Sequence, residues 1–287
     1  MKVAFLGLGA IGRPMAAHLT RSPFELVVWN RTSERAVAFA SEFGVRHAQT
    51  PADAAAAADV VITCLPTSAE VERLLEGESG LLAGMREGSL LLDCTSGDPA
   101  TSRRIAGLLE AKGIAFMDAP VSGGTAGAEK GTLTVMCGGS HDTLSRAEPV
   151  LNAFGERIVL CGSVGAGHAV KAVNNALLAV NLAAAAEGMI ALTRAGVDMS
   201  LALSVINASS GRSNVTENLF PERVVTRAFP RTFRLALLEK DLGIAAAIAR
   251  EGRVASPVLQ LSSELWKLAR AELGEEADHV EYVKWLE

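Results

Sequence analysis

Over residues 1–163 short apolar runs alternate with amphipathic stretches, and beyond Gly167 the apolar positions follow helical spacing alone. Lys2-Val3-Ala4-Phe5-Leu6, Glu25-Leu26-Val27-Val28-Trp29, Val60-Val61-Ile62-Thr63-Cys64, Ser89-Leu90-Leu91-Leu92-Asp93 and Ala115-Phe116-Met117 are nearly continuous in apolar character, the pattern of strands buried on both faces. Glu34–Phe43 and Pro99–Lys112 read as helices, as does the alanine run Ala54–Ala58, while Thr132–Met136 and Ile158–Leu160 complete the β-rich part. The alternation predicts an α/β domain over residues 1–163, a doubly wound, mostly parallel sheet covered by helices. An all-helical domain over 164–287 follows, and the stretch from Val164 to Ala195, free of Pro, predicts one continuous helix joining the two.

Within that helix Ala176–Thr193 approaches membrane-spanning length, but it contains Asn181, Glu187 and Gly188 and is dominated by Ala, which fits burial within protein. Hydrophobic residues make up 49% of the 287 and aromatic residues only 5%, so the interior must be built mainly from Ala, Leu and Val. The net charge of −5 gives no basic footprint for nucleic acid or an anionic membrane. Cys64, Cys94, Cys137 and Cys161 lack CxxC spacing and read as reduced core thiols of a cytoplasmic protein. The five histidines show no paired-ligand spacing, so no metal site is expected. The first apolar run is the first strand, and no secretory signal is expected.

Between that strand and the next helix stands Gly7-Leu8-Gly9-Ala10-Ile11-Gly12. In a strand–turn–helix context this spacing has a physical reading: Gly7 permits the tight turn, Gly9 lets backbone N–H groups approach a pyrophosphate, and Gly12 lets the helix pack closely. The helix N-terminus adds partial positive charge. The second strand ends at Asn30-Arg31-Thr32, where an NAD site would place a carboxylate for the ribose hydroxyls. Arg31 instead offers a planar fork of donors to a 2′-phosphate, with Asn30 and Thr32 as uncharged partners; the expected cofactor is NADP, with NAD possible.

Ligands of parallel sheets bind beyond the carboxyl ends of the strands, so the residues after each apolar run carry the candidate chemistry. Leu65-Pro66-Thr67, Thr95-Ser96 and Asp118-Ala119-Pro120-Val121-Ser122-Gly123-Gly124 occupy such places. Pro66 shapes a loop, Ser96 offers a hydroxyl, and Ser122 with the Gly123–Gly124 backbone suits a carboxylate. In Gly165-Ala166-Gly167-His168-Ala169-Val170-Lys171-Ala172-Val173-Asn174-Asn175, Lys171 and Asn175 share a helix face. The next charge after Lys171 is Glu187, so this lysine opens a segment too apolar for a surface helix. A partly desolvated lysine is suited to proton transfer, and Asn175 could orient its ammonium group or hold a substrate hydroxyl.

These motifs, with Gly131-Thr132-Leu133-Thr134-Val135-Met136 and Lys240-Asp241-Leu242, stand in the order found in the β-hydroxyacid dehydrogenases, and the chain resembles that family over nearly its whole length, most closely its 3-hydroxyisobutyrate dehydrogenase branch. Asn207-Ala208-Ser209-Ser210-Gly211-Arg212-Ser213 is similar to the same branch, whereas Asn30-Arg31-Thr32 is similar to the NADP-using semialdehyde reductases, and Ile11 stands where Met is common. The resemblance implies a Rossmann-type first domain, a long interdomain helix, and an all-α domain that helps form a homodimer or homotetramer. It implies Lys171 as catalytic acid/base, Ser122, Gly123, Gly124 and Asn175 as substrate contacts, Leu65, Pro66 and Ser96 as further cofactor contacts, and Lys240 and Asp241 closing over the nicotinamide side. The implied reaction interconverts a short 3-hydroxy acid and its semialdehyde, 3-hydroxyisobutyrate and methylmalonate semialdehyde first. The rival readings are an NADPH-dependent reductase of glyoxylate, succinic semialdehyde or tartronate semialdehyde, and a non-catalytic NADP-binding module.

Overall fold

The computed structural model describes residues 1–21 and 23–287, which divide into two compact units, Met1–Lys171 and Ala172–Glu287. In the first unit, β1 (Lys2–Leu6), β2 (Glu25–Trp29), β3 (Arg46–His47), β4 (Val60–Thr63), β5 (Leu90–Asp93) and β6 (Ala115–Asp118) are parallel and lie in the order β3-β2-β1-β4-β5-β6. That is the doubly wound order, with its reversal between β1 and β4. β8 (Leu133–Gly138) pairs antiparallel with both β6 and β7 (Val121–Ser122), and β9 (Gly155–Gly162) pairs parallel with β8.

The continuous apolar runs are explained by burial on both faces. Val3, Phe5, Val60, Ile62, Leu90 and Leu92 enter one core, while the alternating Ala4, Leu6, Val61 and Leu91 enter the other. β3 and β7 have no counterpart in the hydrophobic pattern. Each is two residues long, and both residues of β3 are exposed, so no apolar signal marks them. Cys94 and Cys137 are buried, and burial, with the Asp93 carboxylate, pushes the Cys64 thiol up to about 12. Such a thiol stays protonated at neutral pH.

The helix expected from Val164 to Ala195 spans Ala166–Arg194. Its opening residues through Lys171 belong to the sheet-bearing unit, because they are docked on the ends of β6 and β8. Further along, Ala172, Ala176, Ala179, Leu182, Ala186 and Met189 enter the core of the second unit, so one face of this apolar helix is buried there. That core also takes Leu235, Leu238, Leu242 and Ala245 from the helix Leu235–Glu251, and Trp266 from Pro257–Leu273, stacked on Tyr282 at 4.5 Å between ring centroids. Val215–Val225 is π-helical around Pro221, whose missing N–H breaks the ordinary ladder.

Before the helix Leu235–Glu251, the chain is held by Asp278. Its Oδ2 accepts from the Thr232 and Phe233 amides at 2.7 and 2.9 Å, and its Oδ1 lies 3.0 Å from His279 Nδ1. Burial opposes ionisation here, but the His279 ring and the two amides together hold the Asp278 carboxyl well below the usual range. A depressed folded-state pKa contributes stability above the unfolded value of about 3.9, and that contribution is lost as pH falls toward the folded value. Asp278→Asn is therefore expected to cost about 2 kcal/mol at pH 7 in urea unfolding, with the gap to the parent narrowing below about pH 4. A gap independent of pH would contradict this assignment.

Candidate active site

The glycine loop lies at the carboxyl end of β1, beside the point where strand order reverses. Its three glycines meet different demands. Gly7 has φ +108°, donates its N–H to Trp29 O at 3.0 Å, and would place a Cβ 2.2 Å from the Cys64 carbonyl oxygen. At Gly12 a Cβ would stand 2.0 Å from Gly7 O, so this glycine lets the helix Gly12–His18 close onto the turn. A Cβ on Gly9 would meet nothing within 4 Å, and its φ is outside the left-handed region. Neither packing nor backbone strain requires glycine at position 9. Close approach of a phosphate would, and the half-buried Gly9, exposed Ala10 and half-buried Ile11 present a cradle for one. The residues fit a dinucleotide.

Asn30 braces the cradle. Its Oδ1 accepts from the Leu8 amide at 2.9 Å and its Nδ2 donates to Thr32 O at 2.9 Å, so its amide works within the protein rather than simply facing a ribose phosphate. Thr32 is exposed and begins the helix Ser33–Phe43. The Arg31 side chain is 82% exposed, with Nη1 3.2 Å from Glu70 Oε1, a partner that no motif marks.

The loops after β4 and β5 are tied together through Asp93. Its Oδ1 accepts from Thr63 Oγ1 at 2.9 Å and from the Thr95 amide at 3.1 Å, and Thr95 Oγ1 accepts from the Leu65 amide at 3.1 Å. Leu65 packs on the second core of the sheet, Pro66 is exposed, and Ser96 is half-buried. At the end of β7 Ser122 is half-buried, and beyond it Gly123 and Gly124 are exposed at φ +134° and +64°, a backbone path that excludes ordinary side chains.

Asp118, at the end of β6, is fully buried and caps the lysine-bearing helix. Oδ1 accepts from the Gly165 amide at 2.6 Å and Oδ2 from the His168 amide at 2.9 Å. A Cβ on Gly167 would stand 2.1 Å from Met136 O, so the Gly165-Ala166-Gly167 sequence serves this docking. Lys171 lies one turn beyond His168 and is only 8% exposed.

In the second unit Asn175 is buried, donating Nδ2 to Asp241 Oδ2 at 2.6 Å and accepting from Asn174 Nδ2 at 3.1 Å. Asp241 is 1% exposed and pairs with Lys240 Nζ at 3.0 Å. Asp241, expected as a nicotinamide contact, accepts the Asn175 amide and fixes it. Sequence reasoning did not single out Asp93, Asp118 and His168; Asp93 closes an apolar strand run, Asp118 and His168 lie in motifs read for their glycines or lysine, and only the fold shows that they converge. Replacing Gly9 with Val is expected to leave the melting temperature within about 2 °C of the parent while weakening NADPH binding at least about tenfold by fluorescence titration, whereas Gly12→Val should lower melting by at least about 5 °C. Equal effects at the two positions would contradict the division of roles.

A family described as the NAD binding domain of 6-phosphogluconate dehydrogenase matches residues 2–162, and one described as the NAD-binding of NADP-dependent 3-hydroxyisobutyrate dehydrogenase matches residues 165–286. The chain is 35% identical over 271 residues to 2-(hydroxymethyl)glutarate dehydrogenase of Eubacterium barkeri, covering 94% of this chain and 90% of that one. It is 36% identical over 274 residues to human mitochondrial 3-hydroxyisobutyrate dehydrogenase, covering 93% and 81%. The structure of Mycobacterium tuberculosis 3-hydroxyisobutyrate dehydrogenase with L-serine superposes with a TM-score of 0.91 at 32% identity, covering 99% of this chain and 98% of that one. With a dinucleotide cradle at the switch point and these relatives along nearly its whole length, the chain belongs to the β-hydroxyacid dehydrogenase family and is an NAD(P)-dependent oxidoreductase acting on the CH–OH group of 3-hydroxy acids.

Proposed function

We propose that the substrate is a 3-hydroxy acid of the form HOCH2–CH(R)–COO⁻, with 3-hydroxyisobutyrate first, that NADP is preferred over NAD, and that Lys171 is the acid/base. The observation that carries the reading is the nearly buried Lys171 on a helix docked at the ends of β6 and β8. The substrate form comes from chemistry shared by three molecules. 3-Hydroxyisobutyrate, 2-(hydroxymethyl)glutarate and L-serine, which the relatives act on or were crystallised with, all carry a hydroxymethyl group on the carbon that bears the carboxylate. They differ in one further substituent: methyl, carboxyethyl or ammonium.

When bound, the nicotinamide supplies the hydride acceptor for alcohol oxidation and the donor for the reverse. In oxidation Lys171 Nζ takes the hydroxyl proton as the C–H pair leaves carbon; in reduction the ammonium returns it to the carbonyl oxygen and stabilises the developing alkoxide. Ser122 and the exposed Gly123–Gly124 backbone hold the carboxylate and fix the reacting carbon. Asn175, in the second unit, is immobilised by Asp241. Arg31 supports the NADP preference, since it is a mostly exposed guanidinium where an NAD site would carry a carboxylate. In Lys171→Ala, kcat for 3-hydroxyisobutyrate is expected to fall about a thousandfold with the NADP dissociation constant unchanged, while Arg31→Ala should raise that constant about tenfold and leave NAD binding alone. Wild-type turnover in Lys171→Ala would overturn the assignment.

A further inference from the structure

One side chain in the first unit makes more specific contacts than core filling requires. His168 is fully buried, and its Nε2 lies 2.8 Å from the carbonyl oxygen of Thr95, at the end of β5. A carbonyl only accepts, so Nε2 carries the hydrogen. Nδ1 lies 2.6 Å from Ser102 Oγ on the helix Pro99–Glu110, and the main-chain N–H donates to Asp118 at the end of β6. The ring occupies a slot made by a missing side chain: a Cβ on Gly97 would stand 2.6 Å from His168 Cε1 and 2.4 Å from Ser68 Oγ. One residue thus ties the first turn of the lysine-bearing helix to two strand ends and a neighbouring helix.

We propose that His168 is a positioning residue for Lys171, fixing the rotation and tilt of the helix so that the ammonium group meets the substrate hydroxyl in one orientation; this rests on the reading of Lys171 as the acid/base. Lys171 follows one turn later on the same rigid segment. A tilt of about 10° at the tip of a lysine side chain about 6 Å long moves Nζ by about 1 Å, and a misplacement of that size costs up to about a hundredfold in rate. His168 touches neither substrate nor cofactor in this account. Its effect passes through Lys171.

The test is a double-mutant cycle with 3-hydroxyisobutyrate and NADP. His168→Leu is expected to lower kcat by about 10- to 100-fold, with KM for the hydroxy acid within about threefold and the NADP dissociation constant within about twofold. His168→Gln, which retains an N–H able to reach Thr95 O, should recover most of kcat. In a Lys171→Ala background His168→Leu should add less than about a twofold loss, because the group it positions is gone. The same loss in both backgrounds, a rise in KM with kcat unchanged, or a Gln variant no better than Leu would overturn the proposal. If His168→Leu does not fold, Ser102→Ala replaces it in the cycle, with an expected kcat loss of about threefold or more that vanishes in the Lys171→Ala background. Unimpaired turnover in Lys171→Ala would remove the acid/base assignment itself, and this proposal with it; normal turnover in His168→Leu beside an impaired Lys171→Ala would remove this proposal alone.

Discussion

Asp118 divides its two carboxylate oxygens between the Gly165 and His168 amides, at the point where a strand of the sheet meets the helix that carries Lys171. Burial raises its pKa above the ordinary carboxylate value, against the pull of His168 and of the two amides. A buried carboxylate costs several kcal/mol unless its oxygens are satisfied, and here the amides and the positive end of the helix do so. The neighbouring sequence follows from this contact. Gly138 is required because a Cβ there would stand 2.4 Å from Asp118 Oδ1, and Gly167 because a Cβ would meet Met136 O. The helix can then approach the sheet closely, and Lys171, one turn beyond His168, is nearly buried.

The cofactor end of the sheet follows the same logic with a different outcome. Gly7 and Gly12 are fixed by the backbone packing of the turn itself, while Gly9 alone leaves open space where a side chain would have been. Asn30 links the loop to the end of β2, so the cradle and Arg31 are held by one hydrogen-bonded unit. Asp93 does the corresponding work for the loops after β4 and β5. Asn30 and Asp93 thus hold the loops in which the candidate cofactor contacts lie.

Much of the fold was legible because the strands are buried on both faces and therefore nearly continuous in apolar residues; β1, β2, β4 and β5 declare themselves in this way. The two-residue strands β3 and β7 leave no such trace, and neither does the antiparallel turn of β8, which depends on pairing rather than on composition. In the site, glycines and the lysine were readable because their roles are local: a turn, a cradle, an isolated charge in an apolar helix. Asp118, His168 and Asp93 act across about 30 to 73 residues of chain, and only the assembled sheet brings their partners together. Asp241 shows the same limit from the other side, since its place beside Lys240 said nothing of its bond to Asn175.

The most direct measurement is the initial rate of reduced-nicotinamide formation by the parent protein with 3-hydroxyisobutyrate, 2-(hydroxymethyl)glutarate and L-serine, each with NADP and with NAD, alongside the reduction of glyoxylate and succinic semialdehyde by NADPH. The account predicts that acids of the form HOCH2–CH(R)–COO⁻ are oxidised, 3-hydroxyisobutyrate with the highest kcat/KM and NADP ahead of NAD. Rapid reduction of glyoxylate or succinic semialdehyde with no turnover of any of the three hydroxymethyl acids would contradict it.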